Sequence, residues 1–86
     1  MSERSTATLL INAPDRNGLV HAISSFLLQH NGNILHADQH QDAAEQLFLM
    51  RIEWDLDGFT LAGRSAIEQA FAPIAETFNM SWRLDF

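Results

Sequence analysis

Thr6-Ala-Thr-Leu-Leu-Ile-Asn-Ala-Pro-Asp-Arg-Asn-Gly-Leu-Val20 carries one periodicity, a break, and the start of a second periodicity, and its reading decides the fold. From Thr6 to Ala13 the chain alternates, with Ala7, Leu9, Ile11 and Ala13 on one side and Thr6, Thr8, Leu10 and Asn12 on the other. A period of two with one apolar side is the pattern of a strand. Pro14-Asp-Arg-Asn-Gly18 interrupts it with turn chemistry. From Leu19 the spacing changes, and Leu19, Ile23, Phe26, Leu27 and His30 share one helical face until Asn31-Gly32. The stretch therefore predicts a strand, a tight turn and a helix, with Asp15 or Asn17 available as N-cap and Gly32 at the stop.

Working outward, Asn33 to Gln41 reads as a second strand and Gln46 to Trp54 as a third, whose Phe48, Met50, Ile52 and Trp54 make one apolar side. Asp42-Ala-Ala-Glu45 between them predicts a short hairpin. A second helix follows Asp55-Leu-Asp-Gly58, with Ile67, Phe71, Ile74 and Phe78 on one face, Ser65 and Glu68 placed as a capping box, and Pro73 expected to kink it. Met80, Trp82, Leu84 and Phe86 then alternate as a fourth strand running to the last residue, so the chain is expected to stop at a domain boundary. The order β-α-β-β-α-β is the α+β, ferredoxin-like arrangement, with two helices on one face of a four-stranded antiparallel sheet. The other face and the edges are left for a partner. No internal repeat or low-complexity segment is present.

The bulk numbers narrow the function. Residues 1–86 make one domain, and a chain this short hides only roughly 60 to 65% of its unfolded surface, so pairing with a second copy would add stability. The formal charge is −6, and the five cations are all arginines, Arg4, Arg16, Arg51, Arg64 and Arg83, spread along the chain. Without a basic cluster, neither nucleic acid nor an anionic membrane surface is an expected partner. A small anion held by one arginine and backbone amides stays compatible. Cysteine is absent, which removes disulfides, thiolate metal sites and thiol nucleophiles. The polar opening has no apolar core of an export signal, and no apolar run approaches 18 residues, so a cytoplasmic location is expected.

Chemistry concentrates at the turn. A strand-to-helix junction offers amides that lack intrahelical partners, where a carboxylate is at home. Asp15 could take an ammonium group, Gly18 allows close approach to the backbone, and Arg16 or Asn17 could add hydrogen bonds. A plain turn with an N-cap asks for the same residue types. His36, Asp38 and His40 alternate along the second strand, but at ~3.3 Å per residue the two histidines stand roughly 13 Å apart, too far to share an ion. They are read as polar strand or interface positions, and no metal site is expected. His30, near a helix C-terminus, is read as a capping or surface group. No nucleophile stands beside a base, so no catalytic residues are assigned. Trp54 and Trp82 are read as packing residues.

The loop Pro14-Asp-Arg-Asn-Gly-Leu-Val20, the helix and Gly32-Asn-Ile34 resemble the ACT domain family of regulatory, amino-acid-binding modules. His30-Asn-Gly-Asn-Ile-Leu-His-Ala-Asp-Gln-His40, Leu47 to Leu56 and Trp82-Arg-Leu84 are similar, more narrowly, to the N-terminal ACT domain of the formyltetrahydrofolate deformylase family. The resemblance implies a regulatory portion of an enzyme that hydrolyses formyltetrahydrofolate to formate and tetrahydrofolate for purine synthesis. The folate substrate and an Asn/His/Asp constellation would belong to a second, formyltransferase-like domain, and no cofactor is implied for this chain. It further implies side-by-side homodimers with an effector site formed by Asp15, Arg16, Asn17, Gly18 and Leu19 and, facing them, Gly32, Asn33 and Ile34. Glycine and methionine are the effector candidates. The alternative is a free-standing ACT adaptor or transcriptional regulator that acts through protein contact, and the gene sequence beyond Phe86 separates the two.

Overall fold

The alternation at the start of the chain becomes β1, Thr6–Pro14, and the helical spacing after it becomes α1, Leu19–Gln29. The structure, a computed structural model, describes residues 5–86. The polar opening Met1 to Arg4, read for the lack of an export signal, lies outside the described residues. β2 (Asn33–Asp42), β3 (Leu47–Asp55), α2 (Gly63–Thr77) and β4 (Ser81–Asp85) complete the β-α-β-β-α-β order. The strands form one sheet in the order β2-β3-β1-β4, with antiparallel neighbours throughout.

Register places the apolar side chains opposite one another. Leu9 of β1 pairs with Ile52 of β3 and with Leu84 of β4, and all three are buried. Leu19, Ile23, Phe26 and Leu27 of α1 join Ile67, Phe71 and Ala75 of α2 in the same core, so both helices cover one face of the sheet. Phe71 sits at its centre, edge-on to Phe26 at 5.2 Å and to Trp82 at 5.1 Å between ring centroids. Each fully buried side chain of this size adds roughly 1.5–3 kcal/mol of transfer free energy.

β2 departs from the pattern. It is an edge strand, and none of its residues is buried. Ala37, Gln39 and Gln41 pair with the buried Ile52, Met50 and Phe48, yet they are exposed themselves, because the helices do not extend over this edge. A bulge between Ile34 and His36 twists the start of the strand. The β2-β3 hairpin turns through residues 43–46, where the Asp42 carboxylate accepts from the amides of Ala44 and Glu45.

Four details differ from expectation. The N-cap of α1 is Gly18 in a left-handed conformation (φ 92°), with no side-chain cap, so neither Asp15 nor Asn17 caps the helix. At the other end Asn31, not Gly32, takes the left-handed position (φ 63°), and the Gly32 amide closes on the Leu27 carbonyl at 2.7 Å. α2 has Ala62 as N-cap and no capping box: the Ser65 hydroxyl accepts from Gln69, and Glu68 faces Arg64 at 3.6 Å. Met80 and Phe86 fall outside β4, and Phe86 is 58% exposed with its ring under the Arg64 guanidinium. Pro73 lies inside α2, which runs on to Thr77, whose hydroxyl donates to the Pro73 carbonyl.

Candidate functional site

The turn at Asp15 to Gly18 is held from three directions. Its backbone is fixed to the β2-β3 hairpin, since the Asp15 amide donates to the Gln46 carbonyl at 2.8 Å. The Asp15 carboxylate is turned toward β2, where the Gln41 side-chain amide donates to both of its oxygens at 3.2 Å. The Arg16 guanidinium lies over the ring of Phe78, at the end of α2, 4.8 Å from its centroid. Asn17 is exposed, while Leu19 is buried and anchors the first turn of α1 in the core. The anchors to Gln46 and Gln41 come from register, since Pro14 and Asp42 both pair with Leu47, which brings the turn near the end of β2.

The first turn of α1 is thus open for chemistry. A helix start leaves its first amides without intrahelical partners, and here no side chain fills the role. The Ala22 amide, bonded to the Gly18 carbonyl at 2.9 Å, is the first to enter the helix ladder. Gly18 keeps the approach clear, because a Cβ there would meet nothing closer than Phe78 at 3.9 Å, and its φ of 92° disfavours any other residue. A helix start without a side-chain cap favours an anion, and Asp15 is the one acidic residue of the turn.

Gly32, Asn33 and Ile34 lie elsewhere. Asn33 pairs with Asp55 and Ile34 with Trp54, at the opposite end of the sheet from the turn. α1, 11 residues long, separates the two groups by about 16 Å of helix. One chain therefore does not bring the two groups together. Gly32 is closely packed on its Cβ side, where a side chain would stand 2.9 Å from the Leu27 carbonyl oxygen and 3.1 Å from Phe59.

The other polar residues singled out by sequence have structural surroundings. His36, Asp38 and His40 pair with Glu53, Arg51 and Leu49 on the open face of the sheet. Among the described residues no three His, Asp or Glu side chains are grouped to hold a metal ion. His30 is the C-cap of α1, its ring edge-on to Phe26 at 5.3 Å and its Nδ1 3.3 Å from the Thr60 hydroxyl. The open face carries a shallow recess of about 650 Å³ around Leu10, Leu49, Arg51 and Arg83. Among the described residues no helix is long and apolar enough to cross a membrane. Sequence reading missed Gln41, Gln46 and Phe78, which contact the turn from other elements; only the strand register could have found the first two.

The sheet order β2-β3-β1-β4 with a strand-to-helix turn leading into an uncapped helix defines a small βαββαβ module. Residues 7–69 match the ACT domain, and the chain belongs to that family. Within it, the chain is similar to the formyltetrahydrofolate deformylases. It is 46% identical over 81 residues to the formyltetrahydrofolate deformylase of Synechocystis sp., covering 94% of this chain and 28% of the relative. With that of Bacillus subtilis it shares 40% over 77 residues, covering 88% of this chain and 25% of the relative. The crystal structure of a formyltetrahydrofolate deformylase from Pseudomonas syringae pv. tomato superposes with a TM-score of 0.91 at 40% identity, over 98% of this chain and 28% of that one. The chain spans little more than a quarter of the length of these relatives.

Proposed function

We propose that the chain is the N-terminal regulatory domain of a cytoplasmic formyltetrahydrofolate deformylase, which binds a small amino acid at the Asp15 turn and pairs side by side with a second copy. The observation that carries the reading is the divided role of Asp15. Asp15 does not cap α1, whose first amides have no side-chain partner, and its exposed carboxylate is turned toward Gln41 of β2. An amino acid would place its carboxylate on the amides at Leu19 and Val20 and its ammonium on Asp15. Glycine and methionine suit an enzyme of one-carbon metabolism as feedback signals.

Pairing explains the distant half of the site. β2 is an unprotected edge with no proline or lysine, and its exposed residues run along its whole length. The flank of α1 adds Val20 and Leu28, 38% and 66% exposed, with Leu28 placed by the helical period opposite Phe26, which faces Phe71. Antiparallel pairing of two β2 strands about a two-fold axis joins the sheets into one of eight strands. It also sets the start of one β2, with Asn33 and Ile34, beside the end of the other, where Gln41 holds Asp15. The two halves would then face each other across the seam.

In the full-length enzyme the hydrolysis of formyltetrahydrofolate to formate and tetrahydrofolate, which supplies formate for purine synthesis, belongs to the second domain. This chain contributes assembly and sensing, and no catalytic residue. Titration calorimetry with glycine, methionine and serine, alongside sedimentation equilibrium, tests both parts. Saturable heat on a dimer supports the reading; absence of heat at millimolar ligand removes the sensing role, and a monomer at all concentrations removes the pairing.

A further inference from the structure

Gln41 reaches from the uncovered edge strand to the one carboxylate of the turn, and its side-chain amide donates to both carboxylate oxygens at 3.2 Å. The exposed Asp15 carboxylate thus accepts from a neutral donor at a position a cationic donor could take. An amide N–H₂ offers two donors without charge, whereas a ligand ammonium offers three with a full positive charge, and charge-assisted bonds are shorter and roughly twice as strong. We infer that Gln41 is an internal competitor for the Asp15 carboxylate: its amide holds the group to which an amino acid's ammonium would bind, and a bound amino acid displaces it.

Several observations support displacement rather than a fixed strut. Gln41 is exposed on a strand that no helix covers, so its side chain can swing away without opening the core. The turn does not depend on it, because the Asp15 amide is held independently by the Gln46 carbonyl and Arg16 by the Phe78 ring. Releasing Gln41 also frees the two side-chain hydrogen bonds that, among the described residues, tie the turn to β2. Occupancy would thereby be signalled to the strand that forms the seam between copies. Gln41 thus sets how strongly a primary amine must compete, and so the concentration at which the domain responds.

The inference rests on the amino-acid-binding reading, and a pair of opposite substitutions separates the two. Glycine and methionine are titrated calorimetrically into the unaltered 86-residue chain, Gln41→Ala and Gln41→Lys, with circular dichroism confirming that each variant keeps the fold. Removing the competitor in Gln41→Ala should tighten binding about three- to tenfold, the equivalent of one exposed hydrogen bond to a carboxylate. Gln41→Lys supplies a tethered ammonium and should weaken binding by about tenfold or more. If all three proteins bind equally, or Gln41→Ala binds more weakly, the competitor role is overturned while the binding reading stands. If none binds glycine or methionine, the reading itself fails and takes the inference with it.

Discussion

Gly32 lies so close to Phe59 that a Cβ at position 32 would stand 3.1 Å from its ring, and the Leu27 carbonyl oxygen blocks the same space at 2.9 Å. The ring could shift, but the carbonyl belongs to the turn that ends α1 and accepts the Gly32 amide. Gly32→Ala is therefore expected to cost about 1–3 kcal/mol, as overpacking does, read as a lower urea midpoint at unchanged slope. Asn31→Gly should be far milder, since φ of 63° is already a glycine-like conformation and only the bond to the Gly58 carbonyl is lost.

The pair also shows what the sequence could and could not disclose. Asn31-Gly32 announced the end of α1 by composition, and burial carried the periods of every element but β2, whose residues are not buried and which was read between its two turns. Which of the two residues takes the left-handed position depends on Phe59 and the Asn31 bond to Gly58, contacts from 27 residues away that no local pattern encodes. The turn was legible for the same reason, since its residues lie together in sequence. Its partners Gln41 and Phe78 were not, because cross-strand register and helix packing bring them there. The capping box at Ser65 failed because α2 starts earlier, at Gly63, placing Ser65 inside its first turn.

Phe71 contacts Phe26 and Trp82 and is fully buried, so Phe71→Ala removes the ring that joins both helices to β4. The expected loss is about 3–5 kcal/mol, a large part of the stability available to a domain of this size. Thermal melting followed by circular dichroism should show a transition lowered by many degrees, or no folded baseline. Phe71→Leu, which keeps most of the volume, should retain a cooperative melt.

Leu28, 66% exposed on the flank of α1 away from α2, should matter for association and not for folding. Leu28→Glu is expected to leave the melting temperature of the monomer within a few degrees and to weaken self-association at least tenfold by sedimentation equilibrium. Unchanged association would move the seam away from this side of the domain.

Asp15 is exposed, and its backbone anchor to Gln46 does not use its side chain. Asp15→Ala should change stability by no more than about 0.5 kcal/mol, as is usual for surface positions. Binding of glycine should nevertheless fall below detection by calorimetry, because the ammonium loses its only carboxylate in the turn.

The most direct test follows backbone amides by ¹⁵N–¹H correlation spectra of the 86-residue chain during titration with glycine. Saturable shifts at Gly18, Leu19 and Val20, accompanied at the same ligand concentrations by shifts at Asn33 and Ile34, are the expected result. Shifts confined to other regions, or none at millimolar glycine, would contradict a ligand site at the start of α1.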